Sequence, residues 1–384
     1  MDFANMVFSM SHGGINFAAL LPKAYARERC GILTHHLIRE NGRIRALTDA
    51  YPLMLRQTDG ELRAAYIGTV AVHPDSRGRG WMSALMAAAE ADARERQCDL
   101  LILDGRRHRY RHYGFEQAGM RCSFAVCFED IREACGALQE GSGGACAYRF
   151  VLVEPDLEGF EELLDGMYGL YARRSVTART RADFYRCLQS MAADTYAVLE
   201  GETLCGYLNV SEDERELFEL ELADDTRLAE VLCDFMRELD ISELIVETGA
   251  DETAKTECLD SLCGNSRIGM SHQIKILNYP RVLSFLLKWK QKYSAPEDGE
   301  FVIGVTDGQA SGKYRQYKLC VAGAAVTVCE TDAPADVVFE GMELVRALTT
   351  NYYYHMAQDP YSPLKNAPAG WFPLPFYLPN ADTF

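Results

Sequence analysis

Arg77-Gly78-Arg79-Gly80 puts two guanidinium groups and two glycines in four consecutive positions, after a β-rich run over 67–72 and His73-Pro74. An Ala/Leu/Met-rich helix is expected to start at Trp81. Glycine lets the backbone approach a ligand closely, and the first turn of a helix offers unpaired N–H groups with partial positive charge. Arginine adds full charge at the same spot. A pyrophosphate suits such a strand–loop–helix unit. Two phosphate-loop classes do not fit. A Walker loop needs Lys-Ser or Lys-Thr after its last glycine, where Trp81-Met82 stands. A Rossmann fingerprint needs a third glycine at the position of Ser83, inside a βαβ repeat that this stretch lacks. A second chemical group lies in Tyr110-Arg-His-Tyr-Gly-Phe115. A phenol with pKa about 10 is protonated at neutral pH, yet acidic enough to serve as a proton donor. Tyr110 and Tyr113 both qualify, and His108 and His112 lie beside them.

The chain has 384 residues and a formal net charge of −17. Its length suits two or three domains. Such acidity argues against nucleic acid or an anionic membrane as partner and favours cationic acceptors. Against it, Arg77, Arg79, Arg106, Arg107, Arg109 and Arg111 form a basic island. No apolar run reaches the length of a membrane span, and residues 1–20 lack a leader pattern, so a cytoplasmic location is expected. The thirteen cysteines show no CxxC pair and no Cys/His cluster at zinc spacing. Cys258 and Cys263 are close, but nothing completes a site. No metal is expected, and the thiols read as reduced and mostly buried.

Residues 2–29 read as helical around a turn at Ser11-His-Gly-Gly14. Three β-rich stretches follow, 30–37, 43–55 and 62–72, separated by the hairpin signals Asn41-Gly42 and Asp59-Gly60. After the helix 81–96 come a buried strand at 100–103 and a β-rich stretch to about Phe128. Glu140 to Ala145 is a linker by composition. From 149 to about 275 a similar order recurs. Helices precede a hairpin of 196–199 and 207–210 turning at Glu200-Gly201, then a strand at 217–222, a helix at 228–239 and a strand at 243–247. Where the first copy has Arg-Gly-Arg-Gly, the second has Ala223-Asp224-Asp225-Thr226. Two carboxylates and no glycine repel a pyrophosphate, so this copy is expected to hold no cofactor. A third region starts near Ser271, with a helix at 281–293, strands at 301–305, 317–321 and 325–329, and a helix at 341–349. It ends in a proline-punctuated apolar tail, Trp371 to Phe384, which is neither helical nor polar enough for disorder and is expected to dock.

Arg-x-x-Gly at 77–80 after a Val-x-Val strand closely resembles the acetyl-CoA-binding motif of the GNAT superfamily of N-acetyltransferases, [Q/R]-x-x-G-x-[G/A]. Met82 departs from its last position. The strand and helix order is also similar, although that superfamily opens with a strand and this chain begins inside the helix. The two copies and the mixed end domain together resemble the enhanced intracellular survival (Eis) family. There the loop reads Arg-Arg-Arg-Gly followed by two aliphatic residues, which Trp81-Met82 approaches. The resemblance implies a mixed α/β (α+β) fold. Its parts would be a catalytic GNAT domain at 1–140, a degenerate GNAT-like copy at 149–275, and a sterol-carrier-protein-like domain at 276–384 with the tail.

The resemblance further implies acetyl-CoA as cosubstrate. Backbone groups of Val70, Ala71 and Val72 would hold its pantetheine arm where neighbouring strands splay. Arg77, Gly78, Arg79, Gly80, Trp81 and Met82 would hold its pyrophosphate, with Arg106 or Arg107 open to the 3′-phosphate. Tyr110 matches the tyrosine of Tyr-x-x-x-Gly-Phe that protonates the coenzyme A thiolate. Phe384 matches a terminal residue whose carboxylate reaches back to the active site. A carboxylate with pKa about 3.5 is a poor direct base for an ammonium, but it can act through water or orient the amine. His35 and His36 are alternative bases, and Glu40 nearby is expected to be solvent-exposed. No cysteine stands in the loop or the Tyr110 segment, so direct transfer to a primary amine is implied. The acceptor would be an aminoglycoside-like polyamine, a small amine or a protein lysine, and a homo-oligomer is expected. The competing class is a non-catalytic binder of acyl-CoA or an apolar ligand. An apolar tunnel would then be needed, which the tail and Tyr352-Tyr353-Tyr354 would instead fill.

Overall fold

Asn41 and Gly42 both take positive φ, 52° and 74°, as a two-residue hairpin turn requires. They join β1 (Thr34–Glu40) to β2 (Arg43–Gln57), the edge of a large sheet. The computed structural model describes residues 1–29, 31–57, 60–138, 147–174, 176–306, 314–350 and 363–384. Asp59, the linker Glu140 to Ala145 and Tyr352 to Tyr354 lie outside these residues. Helices α1 (Asp2–His12), α2 (Phe17–Leu20) and α3 (Pro22–Tyr25) open the chain, and no strand precedes Thr34 among the described residues. Then come β3 (Gly60–Val72), α4 (Trp81–Glu95), β4 (Leu100–Leu103), α5 (Arg107–Tyr110), β5 (Glu116–Cys127) and α6 (Phe128–Leu138).

The second copy holds β6 (Arg149–Leu152), α7 (Phe160–Arg174), α8 (Arg181–Leu188), β7 (Ala193–Glu200), β8 (Thr203–Ser211) and β9 (Glu216–Leu222). It continues with α9 (Leu228–Glu238), β10 (Glu243–Gly249), α10 (Thr253–Leu262) and β11 (Asn265–Ile276). Both copies contribute to one eleven-stranded sheet, ordered β1-β2-β3-β4-β11-β5-β10-β9-β8-β7-β6. The order has an approximate two-fold pattern. β11 inserts between β4 and β5 of the first copy, and β5 lies between β11 and β10 of the second. Each half thus completes its sheet with a strand of the other, and the sequence divisions at 140 and 149 fall within one continuous sheet. β11 is not legible in the sequence. Its first four residues, Asn265 to Ile268, are exposed and carry no alternation. β6, four residues long, has too few positions to show a period.

The end region has α11 (Tyr279–Lys290), β12 (Gly299–Thr306), β13 (Arg315–Ala322), β14 (Ala325–Thr331), β15 (Val337–Glu340) and α12 (Gly341–Thr349). Its four-stranded sheet runs β14-β13-β12-β15, with β15 parallel to β12. The docked tail is confirmed. Trp371, Leu374, Phe376 and Leu378 are buried in one core with Leu286 of α11, Leu348 of α12, Phe301 of β12, and Leu55, Leu62 and Tyr66 of the first copy. No helix among the described residues is long and apolar enough to cross a membrane.

β3 and β4 run parallel but pair only over Ala64–Tyr66 with Leu100–Ile102. Beyond Tyr66 the strands part, because β4 ends at Leu103 while β3 runs on to Val72. The register of β2 against β3 slips at the same place, from Asp49↔Gly68 to Leu47↔Ala71. One extra β3 residue is accommodated there, and Thr69 takes a left-handed φ of 46°. A β-branched residue in that region is a backbone outlier, of the kind that concentrates at functional sites. The splay and the bulge together leave one edge of β3 open.

Candidate active site

A cavity of about 890 Å³ fills the gap beside β3. Its lining brings together Val70, Val72, Arg77, Gly78, Gly80, Trp81, Met82, Tyr110 and Phe384. Two residues named from the sequence stand apart. The Ala71 side chain is buried in the sheet, and Arg79 is not part of the lining. Arg79 donates from Nη1 to Glu40 Oε1 at 2.9 Å and lies 5.4 Å over the Trp81 ring. Glu40, expected to be solvent-exposed, is instead a half-buried partner of the loop.

Gly78 and Gly80 each have φ of 77°, which a side chain would strain. Gly80 is the residue before α4, and Ala84 N–H to Gly80 O, 3.1 Å, is the first bond of that helix. The N–H groups of Trp81, Met82 and Ser83 precede it and have no partner within the helix. Together with Arg77 they make a cationic turn rich in N–H donors, whose chemistry suits a pyrophosphate. Arg106 and Arg109 also line the cavity. Arg107 does not serve it: its guanidinium holds Glu116 through Nε and Nη2. Burial would raise the Glu116 carboxyl, but the Arg107 bonds outweigh it and the group lies below its ordinary value.

Tyr110 sits at the end of α5, 7% exposed. Its ring occupies the space over Gly105, where a Cβ would lie 2.5 Å from Cε2. Burial pushes the phenol above its ordinary pKa, and Arg109 offsets part of that. Tyr113 also lines the cavity, and its hydroxyl lies 3.2 Å from Ser83 Oγ at the start of α4. Gly114 turns the chain at φ 87°, packed against the Lys275 side chain. Lys275 in turn donates to the Tyr113 carbonyl and to Glu90, at 2.9 and 2.6 Å.

The far end of the chain returns to the first copy. The Phe384 ring stacks against Tyr25 and Tyr51, with centroids 5.7 and 5.5 Å away, and meets Tyr66 edge-on at 6.3 Å. Its ring and carbonyl oxygen lie directly over Gly68, where a Cβ would be 2.6 Å from Cδ1 and 3.1 Å from the oxygen. Below it is a buried polar network. Tyr25 Oη lies 2.6 Å from both Asp49 Oδ2 and Thr69 Oγ1, and Thr69 donates to Asp49 at 2.7 Å. His35 Nδ1 meets the other Asp49 oxygen at 2.6 Å, with its ring half-exposed. His36 is further from this chemistry: burial lowers its pKa, and neither histidine lines the cavity. Tyr66 donates to Asp104 at 2.6 Å, and Asp104 lines the cavity.

The last residues are held by both copies. Lys23, fully buried in α3, donates to the Ala381 carbonyl at 2.6 Å. Arg179 of the second copy binds Asp382 through Nε and Nη2 at 2.7 and 2.9 Å, and Thr177 donates to the same carboxylate at 2.6 Å. Its other face is held by Glu219, at 3.0 Å from Nη1. Sequence reasoning did not find Tyr25, Asp49, Tyr66, Asp104 or Arg179. Asp49 had a signal, a carboxylate inside an otherwise apolar strand run. Arg179 had none, because its partners lie 40 and 203 residues away.

In the second copy the equivalent gap lies between β9 and β10, which pair in parallel over only two positions. There Asp224 accepts from the Thr226 N–H, and Arg174 holds Asp225. Lys255 donates to the Leu220 carbonyl at 2.7 Å and lies 3.5 Å from Glu221. The strand edge that is open at β3 is met here by a protein cation.

Residues 4–118 match the family model of the acetyltransferase (GNAT) domain. Solved structures share the fold over nearly the whole chain. Eis1 from Mycobacterium abscessus is 14% identical with a TM-score of 0.64, covering 100% of this chain and 97% of its own. A GCN5-related N-acetyltransferase from Anabaena variabilis is 15% identical at TM-score 0.64, covering 93% and 88%. A probable N-acyltransferase from Enterococcus faecalis is 16% identical at 0.63, covering 90% and 85%. No curated protein matches the chain. The mixed α/β fold is thus that of GNAT-like proteins. The chain carries a GNAT acetyltransferase domain in its first third, and over the rest of its length it shares the fold of these structures.

Proposed function

We propose that the chain is an acetyl-CoA-dependent N-acetyltransferase that transfers directly to a primary amine, within an Eis-like arrangement whose end region is sterol-carrier-protein-like. The observation that carries the reading is convergence. An anion cradle at 77–83, the phenol of Tyr110 and the last residue, Phe384, from three distant parts of the chain, line one cavity. Acetyl-CoA supplies the acetyl group as a thioester. The N–H groups of 81–83 and Arg77 bind its pyrophosphate. The open edge of β3 at Val70 and Val72 takes the place of a missing strand toward the pantetheine amides. The amine nitrogen forms the new C–N bond as the C–S bond breaks. An entering ammonium sheds two protons in all: Tyr110 delivers one to the thiolate and recovers it from the nitrogen, and the other leaves to solvent. The Phe384 carboxylate orients the ammonium and takes that proton through water. This role requires Phe384 to be the last residue of the working enzyme.

Thiol release from acetyl-CoA in the presence of amines tests the reading, with mass detection of the N-acetyl product. The competing role as an apolar-ligand carrier has less support. The apolar side chains of the tail already pack against α11, α12 and β12, where such a ligand would lie.

A further inference from the structure

We infer that the acceptor is a primary amine of low charge, one ammonium or at most two, carried on an aromatic or aliphatic body, and that polyamines with three or more ammonium groups are poor acceptors; this rests on the N-acetyltransferase reading. The cavity has two ends of different chemistry. Arg77, Arg106 and Arg109 belong to the loop and the Tyr110 segment, the end that fits the anionic cosubstrate. Around Phe384 the lining is apolar: Val7 and Phe8 of α1, Phe17 of α2, Leu21 and Ile67. The Phe8 and Phe17 rings connect to Phe384 through Tyr25, which stands behind the lining. Phe8 meets Phe17 at 5.0 Å, Phe17 meets Tyr25 at 5.8 Å, and Tyr25 stacks on Phe384 at 5.7 Å.

Charge decides the class. Among the described lining residues Asp104 is the one acidic side chain, and its Oδ2 already accepts from Tyr66 at 2.6 Å. At most two ammonium groups can therefore be met, one by Asp104 and one by the Phe384 carboxylate. Any further ammonium would be desolvated against phenylalanine with no counter-charge, at a cost of several kcal/mol each. An aromatic or alkyl body instead gains from leaving water, at about 25 cal/mol per Å². The net charge of −17 does not alter this, because the acidic excess lies elsewhere on the chain.

The test compares kcat/KM for 2-phenylethylamine and hexylamine with that for spermidine and kanamycin, by thiol release at fixed pH and ionic strength. The monoamines should lead by at least about tenfold. Phe8→Ala should raise KM for 2-phenylethylamine about tenfold with kcat little changed, Phe8→Leu should restore most of it, and neither should move the values for spermidine. Ser11→Asp, at an exposed lining position, should improve spermidine several-fold. Preference for spermidine or kanamycin by the wild type, or an unchanged ratio in Phe8→Ala, overturns the acceptor class and leaves the transferase standing. Absence of thiol release with every amine overturns both.

Discussion

Burial moves the Tyr110 pKa upward, which favours the protonated phenol that the proposed general acid must be. Tyr110→Phe should lower kcat about a hundredfold, within the span of general acid catalysis. The dissociation constant of acetyl-CoA should stay nearly the same, as read by isothermal titration. The competing phenol, Tyr113, already has a neighbour in Ser83 at 3.2 Å, so Tyr113→Phe should cost far less than Tyr110→Phe. Equal losses in the two variants would mean that neither is the specific proton donor. Phe384 is the second residue to which the proposal gives a direct role. One residue appended after it should depress turnover strongly while leaving the unfolding midpoint unchanged, and unaltered turnover would remove the carboxylate from the mechanism. Both residues were legible in the sequence through local motifs, Tyr-x-x-x-Gly-Phe and an apolar tail. Their meeting in one cavity was implied only by the family resemblance, since no spacing within the chain shows it.

The strand β3 and the tail are the elements that position the proposed chemistry. Gly68 lets the tail lie flat on β3, where a Cβ would come within 2.6 Å of the Phe384 ring. Gly68→Ala should displace that ring and lower kcat with little change in acetyl-CoA affinity, measured by steady-state kinetics beside titration. Arg179 anchors the tail from the other copy, and Arg179, Glu219 and Asp382 are each less than a tenth exposed. Removing the cation from such a network leaves two buried carboxylates unmatched. Arg179→Met should therefore lose about 3–5 kcal/mol in urea unfolding. The hairpins, the strand at 100–103 and the helices at 81 and 341 could be read from period and turn residues. β11 could not, because its exposed first half lacks alternation and its partners, β4 and β5, are more than a hundred residues earlier.

At the scale of the whole molecule, the second copy serves the first. Its own gap is met by Lys255 and acidic residues, while its Arg179 and the first copy's Lys23 grip the residues just before Phe384. The grip has a pH signature. Burial, the dominant cause, lowers the Lys23 pKa from 10.5 to about 8. The folded state therefore releases this proton more readily than the unfolded chain, and stability rises with pH between about 8 and 10.5. Below pH 8 the cost of the buried ammonium is fully present. Urea unfolding of the wild type should gain on Lys23→Met across that window, by up to ~1.4 kcal/mol per pH unit; parallel curves would count against a strained buried ammonium. The account as a whole rests on acetyl transfer at the cavity beside β3. Its most direct test is acetyl-CoA turnover with 2-phenylethylamine, following free thiol and the N-acetyl product together in wild type and Tyr110→Phe. Equal amounts of thiol and acetylated amine, formed about a hundredfold more slowly by the variant, are the predicted result. Acetyl-CoA that binds but yields neither product with this or any other amine would contradict it.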